Sequence, residues 1–293
     1  MRFIVTADWH IRATRPLCRK DQDWFDTQRK ALAQLESYAQ QFNADVMVVG
    51  DIFNSNTDTN FECIKMVQDL ADRLAENDLG LFVLAGNHDL PYHSSKNIGK
   101  SAIGVLLGSN NVYKISSYSK DFYALNFDES CGDDEKEFVF VHILAFKDKE
   151  SMPPMITGGT TAEELCEKYP KAKWIFTGDN HHSFFTKVGK TNVVNPGCLI
   201  RQNASMKDYV CKVYLIDTDR GLASPLSIRD DVDLVDNSYI IERNDRNERI
   251  GDFVERLKEN SEFTFDFVEN IKEALLTLKD KKVAECVERF VGL

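Results

Sequence analysis

The chain has 293 residues, is 43% hydrophobic, and carries 36 basic against 47 acidic residues for a formal net charge of -11. That length holds one large core and a smaller appendage, and the apolar content excludes a disordered chain. The acidic balance excludes the broad electrostatic footprint of a general nucleic-acid binder, but not a phosphate substrate held at a site whose positive charge comes from bound cations.

In chain order, Phe3 to Asp8 reads as the first strand, followed by a basic loop with Arg12, Arg15, Arg19 and Lys20. Phe25, Leu32, Leu35, Ala39 and Phe42 recur at helical spacing and predict a helix over 21–42. The β-branched run from Asp45 stops at Gly50-Asp51 and reads as a strand buried on both faces. A second helix is expected over 60–76 and a third strand over Leu81 to Ala85, so strand and helix alternate as in right-handed parallel crossovers. From Val112 the texture changes to short strands at 112–115, 122–127, 138–146, 174–177, 191–194 and 209–216. The acidic run Asp128 to Glu137 reads as a solvated hairpin turn, and Thr160-Thr161-Ala162-Glu163 as the start of a short helix ending at Tyr169. Beyond Leu226 a strand at 238–241 and helices at 250–258, 265–278 and 281–290 are expected to form a separate lobe. The expected division is therefore 1–225 and 226–293.

The longest apolar run, Phe138 to Phe146, is broken by His142 and falls well short of the roughly 18 residues of a membrane span. Met1-Arg2 leads directly into a strand, leaving no room for a secretory leader. The seven cysteines are odd in number, scattered and without a C-x-x-C pair, which fits reduced thiols better than disulfides or a thiolate zinc site. A soluble cytoplasmic protein without a membrane partner is expected.

The strand ends carry the chemistry. Asp8-x-His10, Gly50-Asp51, Gly86-Asn87-His88-Asp89, His142 and Gly178-Asp179-Asn180-His181-His182 each follow an apolar run, so each delivers Asp, Asn or His to the carboxyl edge of a sheet. In Asp8-x-His10 an oxygen and a nitrogen point the same way along extended backbone and can grip one ion. Asp51 could share its oxygens between two ions. Mixed Asp, Asn and His ligands suit Mn²⁺, Fe²⁺ or Zn²⁺ better than Ca²⁺, and two ions sharing a carboxylate form the clamp used for in-line displacement at phosphorus. Four of the six histidines fall in this ordered set. His93 reads instead as a loop residue at the rim, and Asn195-Pro196-Gly197 as a turn shaping the site wall. Arg12, Arg15 and Arg19 are either solvated loop charges or clamps on substrate phosphates.

Taken together and in order, these motifs resemble those of the calcineurin-like metallophosphoesterases. Asp51-Ile52-Phe53, Gly86-Asn87-His88-Asp89 and Asn195-Pro196-Gly197 with Arg201 are similar to the SbcD-type DNA-repair exonucleases, including phage members, over about residues 1–201. The resemblance implies a four-layer α/β/β/α sandwich with a small C-terminal α+β lobe acting as a cap or partner-binding surface. It implies that Asp8, His10, Asp51 and His181 hold one divalent ion, and that Asp51, Asn87, His142 and Asp179 hold the second. Mn²⁺ is the first choice, with Mg²⁺, Fe²⁺ and Zn²⁺ as alternatives. His88 would approach the phosphate as a general acid or electrostatic stabiliser, oriented by Asp89, and Arg12, Arg15 and Arg201 would bind substrate. One departure stands out: the family usually has Gly-His-x-His in the last motif, whereas Asp179 replaces the first histidine here, with His182 in a shifted register as the alternative ligand. The implied activity is metal-dependent hydrolysis of DNA phosphodiesters. Its expected partners are DNA, an SbcC-type SMC-like ATPase and a second copy of the chain. The alternatives are a phosphodiesterase or phosphatase acting on a small nucleotide or phosphoprotein, and a non-catalytic scaffold that keeps the fold.

Overall fold

Alternate residues of the first strands face opposite ways, and both ways are buried. In β1 (Arg2–Thr6) Ile4 packs into a core beneath helices, while Phe3 and Val5 enter a second core between two sheets. In β2 (Asp45–Val49) Val46 and Val48 take the first core, and Met47 and Val49 the second. A strand covered on both faces reads as an unbroken apolar run, because the side-chain period of two has no solvent side to mark.

The computed structural model describes residues 1–56, 60–129, 136–154, 156, 158–230, 234–236, 238, 271, 275 and 276. After β2 come β3 (Leu81–Leu84), β4 (Val112–Lys114), β5 (Phe122–Leu125), β6 (Phe138–Val141), β7 (Ala145–Phe146), β8 (Thr160–Thr161), β9 (Trp174–Thr177), β10 (Phe184–Val188), β11 (Thr191–Asn195), β12 (Cys211–Asp217) and β13 (Leu222–Ile228). The helices are α1 (Trp24–Phe42), α2 (Phe61–Ala75), α3 (Ala102–Leu107) and α4 (Ala162–Lys168). One sheet has six strands in the order β13-β12-β1-β2-β3-β4, and the other has five in the order β10-β11-β9-β6-β5. The parallel centres are β1 to β4 in the first sheet and β5, β6, β9 and β11 in the second, with antiparallel pairs at one side of each.

Three cores separate four layers. Residues of α1, α2 and α3 pack on one face of the six-stranded sheet, an aromatic-rich core lies between the sheets, and α4 packs on the outer face of the five-stranded sheet. Phe140 and Phe176 stack at 4.6 Å with Phe3 edge-on to Phe176 at 5.7 Å. Each such fully buried ring contributes roughly 1.5–3 kcal/mol relative to exposure. The four-layer α/β/β/α arrangement expected from the sequence is present.

Local signals set the helix ends. Asp23 accepts from the Asp26 N–H and starts α1 later than 21, because Asp21 is taken by Arg19. Asn60 caps α2, and Thr161 with Glu164 forms a capping box for α4. Two expectations fail. The acidic run Asp128 to Glu137, of which 130–135 lie outside the described residues, does not join a hairpin, since β5 and β6 pair in parallel (Phe122 beside Phe138). The strand expected over 138–146 is broken where the His142 ring turns away to bond the Val49 carbonyl at 2.8 Å.

The chain divides into two units, Met1–Asn237 and Ser238–Leu293. A boundary at 225 would cut β13, which pairs with β12 through Ile228, and would detach Leu234 to Asp236, which bond Cys18 and Lys20. Of the expected C-terminal lobe, residues 271, 275 and 276 are helical; the strand at 238–241 and the helices at 250–258 and 281–290 lie outside the described residues, save Ser238.

Candidate metal centre

Beyond their last sheet residues, β1 and β2 run on side by side. The Asp8 N–H donates to Gly50 O (3.1 Å), His10 N–H to Asp51 O (3.0 Å) and Ile11 N–H to Ile52 O (2.8 Å). Asp8, His10 and Asp51 are thereby held next to one another, all three with positive φ (50°, 46° and 53°), a conformation that non-glycine residues adopt only under constraint. Asp179 repeats it at φ 72°. Strained backbone concentrated at four proposed ligand positions is the pattern of a site whose side-chain directions are imposed by the surrounding fold.

The second sheet supplies His142 and His181. His142 Nδ1–H donates to Val49 O, which leaves Nε2 facing Asn87 Oδ1 at 3.0 Å and Asp51 Oδ2 at 3.4 Å. Glycines make this approach possible: a Cβ on Gly50 or on Gly178 would lie 2.2 Å or 2.5 Å from His142 Nδ1, so the ring sits in a cleft that only glycine leaves open. His181 Nε2 meets His10 Nε2 at 3.1 Å, and His10 Nε2 lies 3.7 Å from Asp51 Oδ2. Ligand-type atoms converge within 4.8 Å in three sets: Asp8, His10 and His181; His10, Asp51 and His88; Asp8, Asp51 and His142. Asp8, His10 and Asp51 each belong to two of the sets, so these three residues are the centre of the cluster.

The electrostatics fit a divalent-cation site. Asp8 is fully buried; its Oδ1 accepts the Asp179 N–H at 3.0 Å, while its Oδ2 has no hydrogen-bond partner. Burial holds the Asp8 carboxyl well above the usual range, reinforced by Asp51 and only partly offset by His142. Burial pushes His10 down to about 3 and lowers His181, keeping both imidazoles neutral and able to ligate. Burial also acts to lower His142, but the Asp51 carboxylate and its hydrogen bond outweigh it and raise the ring to about 10. In the metal-free protein, then, a protonated imidazole supplies the positive charge that Asp51 requires. Orphaned carboxylate oxygen, neutral imidazoles and a proton in place of a cation together fit divalent ions, with Asp8, His10, Asp51, His142 and His181 in reach and Asn87 beside them.

Other expected residues fall elsewhere. Asp179 sends its N–H to Asp8, but its half-exposed carboxylate belongs to none of the three sets. His182 is exposed, with its ring edge-on to Tyr209 at 5.0 Å. Asp89 does not orient His88: it is 1% exposed and accepts the N–H groups of Ile52, Phe53 and Gly86, tying the β3 loop to the β2 loop. The His88 ring is fixed by Asn54 O, at 2.7 Å from Nδ1, and Asn54 Oδ1 in turn accepts from Arg12 at 3.1 Å. Arg12 thus braces the His88 support. Arg15 bonds the Asp21 carbonyl away from the centre, and Arg201, 2% exposed, is committed to Asp230 and cannot meet substrate.

Several supports had no signal of their own in the sequence, above all the backbone carbonyls of Val49 and Asn54. Asn195 did have one, as a polar residue closing an apolar strand. Fully buried, it donates to Asn180 O and His182 O and accepts from Thr177, holding the loop that carries His181.

No curated protein sequence matches the chain. Among solved structures it is similar to an archaeal phosphodiesterase (14% identity, TM-score 0.40, covering 78% of this chain and 99% of that one). It is also similar to a dimetal phosphatase from Danio rerio (9%, 0.47, 78% and 98%) and to a hypothetical protein from Pyrococcus horikoshii (13%, 0.44, 84% and 93%). The family model of the calcineurin-like phosphoesterases matches residues 1–183, a span from β1 through His181 that includes every strand end supplying the centre. The chain therefore belongs to the calcineurin-like phosphoesterase family, whose members are dimetal-dependent phosphoester hydrolases.

Proposed function

We propose that this chain is a two-metal phosphodiesterase of the SbcD type that cuts DNA in repair, recombination or phage DNA processing. The observation that carries the reading is His88, whose ring stands perpendicular to His10 at 4.9 Å and is anchored through Nδ1 to the Asn54 carbonyl. That anchor uses the Nδ1 proton, so Nε2 can hand a proton to the leaving oxygen of a diester only from the imidazolium form, the form proposed for the general acid because a sugar alkoxide departs poorly without a proton. When bound, two divalent ions, Mn²⁺ first among them, supply Lewis acidity toward the phosphoryl oxygens. Asp8, His10, Asp51, Asn87, His142, His181 and the departed position Asp179 are the residues proposed to hold them. Asp51 also receives the His88 N–H at 2.9 Å, so ligand and acid are fixed to one another.

The DNA assignment draws on Asp51-Ile52-Phe53, the Gly-Asn-His-Asp run and Asn195-Pro196-Gly197; Arg201 leaves the substrate list because it is buried. The partners proposed with it are an SbcC-type SMC-like ATPase and a second copy of the chain, working in the cytoplasm. Among the described residues no helix is long and apolar enough to cross a membrane. The net charge of -11 favours a second reading, a phosphodiesterase of small nucleotides. Hydrolysis of bis(p-nitrophenyl) phosphate, p-nitrophenyl phosphate and end-labelled DNA, each with Mn²⁺ or with chelator, separates the readings. Mn²⁺-dependent cutting of DNA is expected, and turnover of the monoester alone would sink the proposal.

The region beyond 237 is proposed as the cap that positions DNA. A chain ending at Asn237 should keep hydrolysis of the small diester and lose about tenfold or more on DNA, the order of one lost stacking or groove contact. Equal retention on both substrates would remove the cap role.

A further inference from the structure

Aromatic rings run outward from the metal centre along one wall. Phe127, 40% exposed, lies edge-on to the ring of His142 at 6.4 Å between centroids, and exposed His93 lies 6.1 Å from Phe127. Tyr92, next in the chain, is 89% exposed. Tyr92 is bonded in sequence to His93, whose ring lies beside Phe127, so the three aromatic residues are close neighbours at the edge of the centre.

The wall is also held in place. Tyr92 and His93 both have positive φ, 57° and 52°, a conformation that a tyrosine rarely adopts. His93 Nδ1 is bonded to Asn87 O at 3.0 Å, within the ligand loop itself. Asp128 accepts from the Ser95 N–H (3.0 Å) and Ser94 Oγ (3.3 Å), and the Phe127 N–H donates to Ala85 O (3.1 Å), so the segment carrying Tyr92 and the turn carrying Phe127 are tied together and to the end of β3. Local strain kept by several hydrogen bonds beside a reactive centre is a feature of ligand clamps.

We propose that Tyr92, His93 and Phe127 form a stacking ledge for the unpaired base of the nucleotide flanking the phosphate at the metal centre. The ligand class is a nucleobase carried on a sugar phosphate, read by its π-face and not by its edge, so the ledge tolerates any base but discriminates against phosphates that lack one. The inference rests on the phosphodiesterase reading and gives that site a substrate class: nucleic acid ends or nucleotides, in preference to phosphoproteins.

The test is a binding titration of the full chain with Mn²⁺, using 2-aminopurine deoxyriboside 5′-monophosphate, whose fluorescence is quenched when its base stacks. Quenching is expected in the wild type, with affinity about tenfold weaker in Tyr92→Ala and in Phe127→Ala and restored in Tyr92→Trp. Deoxyribose 5-phosphate should compete about tenfold less well than dAMP. Tyr92 is nearly fully exposed, so its replacement tests the ledge without a folding defect. Absence of quenching, equal competition by the base-free sugar phosphate, or wild-type affinity in both alanine variants would overturn the proposal. Failure to cut DNA with quenching intact would remove the nuclease reading and leave the ledge standing.

Discussion

Two clusters in this protein each bring two aspartates together away from bulk water and behave in opposite ways. In the first, Arg19 makes two 2.7 Å bonds to Asp21, an ion pair with Asp230 and a bond to the Arg201 carbonyl, while Arg201 pairs with Asp230 at 2.7 Å. Two cations meet two anions, Thr27 fills a further lone pair on Asp21 at 2.6 Å, and the Arg19 guanidinium lies over Trp24. Burial acts to raise the Asp21 carboxyl, but the Arg19 hydrogen bonds more than offset it and hold it below its usual range. In the second cluster Asp8 and Asp51 face imidazoles that burial keeps mostly neutral, Asp8 Oδ2 and His10 Nδ1 have no partners, and the backbone is left-handed at Asp8, His10 and Asp51. Burial alone therefore does not mark a functional site. The mark is charge that the chain does not balance by itself.

That contrast predicts opposite outcomes. The largest effect is expected at the unbalanced cluster: Asp51→Ala should abolish metal uptake and hydrolysis together, whereas His88→Ala should keep its metals and lose about 10²–10⁴ in turnover. Metal content by mass spectrometry decides it, since a metal-free His88→Ala or a fully loaded Asp51→Ala would break the assignment. At the balanced cluster, Arg19→Ala strands Asp21 and Asp230 and should destabilise the fold by about 3–5 kcal/mol, read from urea denaturation. Asp8→Asn, by contrast, should leave the metal-free protein about as stable as wild type, because burial already holds the Asp8 carboxyl well above its usual range and its Oδ2 makes no hydrogen bond. If both substitutions destabilise equally, the distinction between the clusters fails.

The pH dependence sharpens the same point. A histidine raised from 6.5 to about 10 in the folded state, as His142 is, stabilises the metal-free fold fully below pH 6.5, and that contribution is lost as pH rises through about 10. His10 has the reverse sign: lowered from 6.5 to about 3, it contributes stability above pH 6.5 that is lost as pH falls through about 3. Metal binding must displace the proton on His142, so Mn²⁺ uptake should release protons and tighten as pH rises from 6.5 toward 9. Titration calorimetry in buffers of different ionisation enthalpy measures that release, and uptake without it would mean that His142 is not a ligand.

The smallest effect concerns Asp179. A hard oxygen in place of imidazole should favour Mn²⁺ or Mg²⁺, and Asp179→His should move the activation profile toward Zn²⁺. An unchanged profile would confine Asp179 to its backbone bond with Asp8.

The sequence by itself determined β1, β2, β3, α1, α2, α4 and the strand-end positions of the site, while α3, β10 and β13 were not legible in it. Buried parallel strands must be apolar along their whole length, so Gly50-Asp51, Asn87-His88, His142 and Asp179-x-His181 stand out as the first polar residues after each run. Helix ends were legible for a similar local reason, since Asn60 and Thr161 cap through their own side chains. What only the tertiary structure decided depends on distance across the fold. Parallel pairing of β5 with β6 overruled the hairpin reading of the acidic run, because register is set by partners far along the chain and not by the connecting residues. Asp89 became a brace of backbone N–H groups, Arg201 became half of a buried ion pair, and the carbonyls of Val49 and Asn54 became the supports of His142 and His88. A carbonyl has no letter in a sequence, and the side chain of an aspartate or arginine is the same letter whether it meets a substrate or a neighbour; only the packing that brings two strand ends together assigns the role.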